Sequence, residues 1–119
     1  MLDANQIQMN FEKAKLDAQN LDDLATRIDN LAQGKLEDTL DRLSGAWKGD
    51  NADLFINKSR QVQTDMKKAA ETLRKGVAQI RKTAEETYKT EMRNYEIAQK
   101  RMAEVANIVN SVANHFPRK

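Results

Sequence analysis

Apolar residues recur every three or four positions along almost the whole chain. From Ile7 they fall at Phe11, Ala14, Ala18, Leu21, Ala25, Ile28, Ala32, Leu36, Leu40 and Leu43. They resume at Val62, Met66, Ala69, Leu73, Val77, Ile80, Ala84, Tyr88, Met92, Tyr95, Ala98, Met102, Val105, Val109, Val112 and Phe116. A strand would need a period of two, whereas gaps of three and four keep one face of a helix apolar. Leu24 and Leu31 lie beside the first stripe and widen it. The only proline is Pro117 and there are four glycines, so few turns are possible and the helices must be few and long. Gly34 lies inside the first run and weakens that helix by about 1 kcal/mol relative to Ala, without breaking it.

Between the two runs the period fails over Ser44–Asp50. Gly45 and Gly49 supply backbone freedom to end one helix and reverse the chain. Asp50, with Asp53 three positions on, has the form of an N-cap near the positive end of a second helix. A short connection makes the two helices antiparallel neighbours. The expectation is an all-α chain, 1–119 as one domain. Helix one covers about 4–43, the turn 44–50 and helix two about 51–114. Charge agrees with this pairing. Met1–Leu43 holds 9 acidic and 5 basic residues, net −4, against 9 acidic and 15 basic from Ser44 onward, net +6. The basic dyads Lys67-Lys68, Arg74-Lys75 and Arg81-Lys82 recur every seven residues. They read either as a solvated flank facing the acidic arm or as a contact for anionic lipid or nucleic acid, with no interleaved aromatics to stack bases.

Two slender helices bury only the stripe between them, which rarely makes a stable core. The chain is therefore expected to pair with itself or with a similar hairpin as a four-helix bundle. The arms are unequal, about 60 Å against about 96 Å at 1.5 Å per residue. The partner residues run out near Tyr95, and the remaining stripe (Met102, Val105, Val109, Val112 and Phe116) docks on a partner helix or folds back as a tail.

Chemistry-bearing constellations are not expected. The chain has no Cys and one His, His115. That excludes disulfides, thiol nucleophiles and thiol-held metal, and offers no second ligand for a histidine metal site. No catalytic residues, cofactor or metal ligands are assigned, and a small-molecule substrate is not expected. The net charge of +2 is too small to argue for nucleic acid. No run has the ~18 apolar residues of a membrane span, and the N-terminus lacks the pattern of a general secretory signal peptide.

The turn "LSGAWKGDNADLF" holds the only tryptophan. Trp47 reads either as a plug for a bundle end or as part of a recognition surface. With W-K-G at mid-chain between helical arms, over roughly Ile7 to Tyr95, the chain resembles the WXG family, the small ESAT-like proteins of the type VII secretion pathway. That resemblance implies antiparallel helical hairpins that dimerise into four-helix bundles. They are exported folded by a membrane ATPase machine of Gram-positive-type and mycobacterial cells, and many escort a larger effector by its helical head. It implies that Trp47 and Gly49 form the turn half of the export signal. The other half is a tyrosine followed four residues later by an acid, and this chain departs from it: Met92 follows Tyr88 at that spacing and Gln99 follows Tyr95. Tyr88 with Glu91 is the nearest equivalent. Packing alone would also account for either tyrosine.

Overall fold

The computed structural model describes residues 2–115. Among them every regular element is helical: α1 Ala4–Asn30, a π-helical segment Leu31–Leu36, α2 Glu37–Ala46 and α3 Asp50–His115. The first three run on without a break as one arm, and α3 is the other. The connection is only Trp47–Gly49, tighter than the expected 44–50, because α2 continues through Gly45 to Ala46. Phe116, the last residue of the expected stripe, lies outside the described residues.

The chain divides into two compact units. One is Ala14–Lys82; the other combines Met1–Lys13 with Thr83–Lys119.

In Ala14–Lys82 the first arm and the start of α3 run antiparallel. Ala18, Ala25 and Ala32, each seven residues apart, are fully buried, and α3 answers with Ala52, Ile56, Gln63, Ala70 and Val77. Small side chains at this spacing let two helices approach closely, and the larger Leu40, Ile56 and Val77 are buried with them. All the expected stripe residues of the first arm within this unit are buried or half-buried. On α3 two expectations were one residue off. Val62 and Ala69 point outward, and Gln63 and Ala70 take the buried positions. A glutamine wins over a valine there because its burial is compensated by hydrogen bonds. Its Nε2 donates to the Ala32 carbonyl at 2.7 Å and to the Glu37 carboxylate.

That Ala32 carbonyl belongs to the π-helical segment. A π turn accommodates one residue more than an α turn, its backbone hydrogen bonds running five residues on rather than four. The spacing explains the segment. Ile28, Ala32, Leu36 and Leu40 are separated by three successive gaps of four, where an α stripe would include a three. The surplus residue is absorbed by widening the helix, and Gly34 sits inside that wide turn.

In the other unit, Ile7 is buried, and Phe11 stacks on Tyr88 with ring centroids 4.6 Å apart. The start of α1 is built rather than frayed. The Gln6 amide donates to Asp3 Oδ1 at 2.8 Å, and the Asp3 amide donates to Gln6 Oε1 at 3.0 Å. This reciprocal capping box ends the helix at that point. Ala98 is half-buried, and from Gln99 to His115 every residue of α3 is exposed.

Candidate functional site

Trp47 closes α2. Its amide donates to the Leu43 carbonyl at 2.8 Å, while its own backbone is extended, with φ −112° and ψ 122°. Gly49 then takes φ +112°, a region that side chains make costly, and its carbonyl accepts the Asp53 amide at 3.0 Å to start α3. Gly49 thus supplies the first carbonyl of the helix, and Asp50, expected as the cap, is the first helical residue. Both Asp50 and Asp53 stand in the first turn, where the helix dipole favours negative charge. Gly45, expected to turn the chain, is ordinary helix. Lys48 Nζ donates to the Ser44 carbonyl at 3.0 Å, completing the end of α2.

The turn aims the indole at Phe55, one turn into α3. The ring centroids are 5.6 Å apart and the planes are tilted by 51°. The indole therefore finds a partner in its own chain. It remains 42% exposed, with Phe55 51% and Leu54 55% exposed. The result is an aromatic platform open to solvent, held by a three-residue turn with one special backbone angle.

Trp47 and Gly49 belong to the Ala14–Lys82 unit, and Tyr88 and Glu91 to the other. Tyr88 lies against Phe11 and is half-buried, as is Glu91 one helical turn further on. Glu85, on the preceding turn, is paired with Lys89 at 3.0 Å. Tyr88, Lys89, Met92, Arg93 and Glu96 line a shallow depression of about 380 Å³. The expected docking stripe is uncovered: Met102, Val105, Val109 and Val112 are 52–65% exposed.

The two long sides of the Ala14–Lys82 unit differ in chemistry. Residues advance about 100° each around a helix. Counted from the buried line, Arg60, Arg74 and Arg81 of α3 share a side with Gln19, Asp29 and Glu37 of the first arm. They are joined across it. Arg60 bridges Glu37 at 3.2 Å and Asp41 at 3.1 Å, Arg74 pairs with Asp29, and Arg81 donates to Gln19 at 3.2 Å. Two of the basic dyads thus place an arginine against the acidic arm. Hydrogen bonds from Gln63 and then Arg60 hold the Glu37 carboxyl below the usual carboxylate range, and Asp41 and Glu37 in turn push Arg60 further up.

The opposite side is lined differently. Phe55, Val62, Ala69 and Gly76 follow one another at seven-residue intervals on α3, all exposed, with Leu24 and Leu31 exposed on the first arm. Leu21, Ile28, Met66, Leu73 and Ile80 lie half-buried between them. The sequence reading missed this lane. Its signal is the seven-residue series from Phe55 to Gly76, which steps down in bulk, whereas a count of apolar residues places Val62 and Ala69 inward.

Among the described residues no cluster of side chains is suited to a metal ion, and no helix is long and apolar enough to cross a membrane. Comparison with protein-family models, curated proteins and solved structures gives no match.

Proposed function

We propose that the chain is a WXG-like partner of the type VII secretion pathway: a helical hairpin that pairs into a four-helix bundle. In this reading it is exported folded or escorts a larger effector, and it acts by binding rather than catalysis. The observation that carries the reading is the tip. A W-x-G turn between two helical arms presents Trp47 on a solvent-facing aromatic platform, where an export ATPase or an effector head can reach it. Burial of aromatic surface dominates such contacts. Tyr88 and Glu91 are the other half of the signal in this scheme, contributed by the paired chain.

A second reading has an observation in its favour. The stack of Trp47 on Phe55 gives the indole a structural reason to exist, so the chain could instead be a hairpin chaperone or filament subunit of another system. Substitution of Trp47 separates the two. Under the export reading, Trp47→Ala retains wild-type helicity by circular dichroism and lowers secretion from a host with the pathway at least tenfold. Undiminished secretion of a well-folded Trp47→Ala chain leaves the tip a purely structural feature.

A further inference from the structure

Two uncovered apolar tracts stand out. One is the lane on the Ala14–Lys82 unit: Phe55, Val62, Ala69 and Gly76 beside Leu24 and Leu31. The other is the end of α3, where Met102, Val105, Ile108, Val109 and Val112 are all more than half exposed. From Val105 to Asn114 this second tract carries no charged residue, in a chain that is 32% charged. The first arm cannot grow to cover it, because the Asp3–Gln6 capping box terminates α1.

The tracts are complementary in form. The lane is an apolar strip along two neighbouring helices, with Leu21, Ile28, Met66, Leu73 and Ile80 half-buried in it and exposed apolar residues at heptad spacing along its edge. It is a seat for a third helix. The end of α3 is a helix with an apolar stripe of the same three-and-four spacing.

We infer that the lane of one copy is covered by the overhanging end of α3 from a second copy, and the reverse, so that the contact is made twice about a two-fold axis. Area selects this occupant over a lone helical peptide. The helix from Ala98 to His115 is about 27 Å long and about 10 Å across, so one contact hides roughly 550 Å² counted on both surfaces. Specific complexes bury about 1,200 Å² or more. A single contact falls well short of that, while the reciprocal pair, at about 1,100 Å², comes close to it and clears the roughly 1,000 Å² that marks a biological interface. The inference rests on the pairing in the proposed function and not on export.

The absence of cysteine makes the test clean. Single-cysteine chains are made at exposed positions, Val62→Cys or Ala69→Cys on the lane and Val105→Cys or Val109→Cys on the overhang. Each lane variant is mixed with each overhang variant, refolded together from urea and mildly oxidised. At least one mixture is expected to give covalent pairs at least fivefold above either variant alone. The inference is overturned if overhang variants cross-link chiefly with themselves, or if no mixture exceeds its single components. Light scattering on the unmodified chain separates the two levels. A particle of twice 13.6 kDa without lane-to-overhang cross-links refutes this contact and leaves pairing intact. A monomer at tens of micromolar refutes pairing itself, and the contact with it.

Discussion

Deleting one residue from the first arm should have very different consequences at two neighbouring places. Gln33 is exposed and lies in the π-helical segment; Thr26 is exposed and lies in regular α1. If the π segment stores one surplus residue, removing Gln33 lets Leu31–Leu36 close into ordinary α-helix while both flanks keep their phase. The segment returns to four-residue backbone hydrogen bonds, and Gln63 loses at most its bond to the Ala32 carbonyl while keeping Glu37. The net change is about the worth of one hydrogen bond, roughly 1 kcal/mol. Removing Thr26 has no such reserve. Everything before it turns about 100° relative to the rest, taking Ile7, Phe11, Ala14, Ala18, Leu21 and Ala25 off the buried face. Ile7, Phe11 and Leu21 alone stand to lose about 1.5–3 kcal/mol each, or roughly 5–9 kcal/mol together. That rivals the whole stability of an ordinary domain, about 5–15 kcal/mol. Urea unfolding followed by circular dichroism measures both. The Gln33 deletion should shift the midpoint slightly at unchanged slope; the Thr26 deletion should lower the slope or abolish the transition, because less surface is buried. Equal damage from the two deletions would refute the reading of the π segment as a stored insertion.

The glycines of the turn should respond with opposite signs. Gly45→Ala sits in open helix and should stabilise by up to about 1 kcal/mol. Gly49→Ala meets no neighbouring atom but must hold φ +112°, so it should cost about 1–2 kcal/mol in thermal melts. The Glu37 carboxyl is held below its usual range in the folded chain, so its contribution is fully present at neutral pH. That contribution fades as pH falls through the ordinary carboxylate value toward the lowered one. Stability measured from pH 6 down to 3 should therefore fall less steeply in Glu37→Gln than in the parent, and an identical slope would remove Glu37 as a source of acid sensitivity.

Much of the fold was legible because helix periodicity and burial speak the same language in the first arm. Its stripe residues read off the sequence are those that pack. The misreadings on α3 have one cause: counting apolar residues favoured Val62 and Ala69, although the regular spacing through Ala52, Ile56, Gln63, Ala70 and Val77 ran one position away. A buried glutamine is invisible to a hydrophobic count until the carbonyl it satisfies is known. The run of fours from Ile28 to Leu40 did announce the surplus residue, and the Asp3–Gln6 box was likewise present as a spacing. At the tip, the glycines and Trp47 located the turn, but nothing in composition could say that Phe55 would lie beneath the indole. Which side of the two arms carries the ion pairs depends on the angle of every residue at once, and the eye does not assemble that from a linear string.

The contrast between those two sides has a bearing on how the fold responds to its medium. Dissolved salt screens the attractions of Arg60, Arg74 and their acidic partners, while strongly hydrated anions such as sulfate reinforce apolar burial across the way. The two influences oppose each other within one pair of helices. Exposed ion pairs contribute less than apolar burial, so a sulfate titration should raise the melting point, by less than it would if Arg60 and Arg74 had no acidic partners.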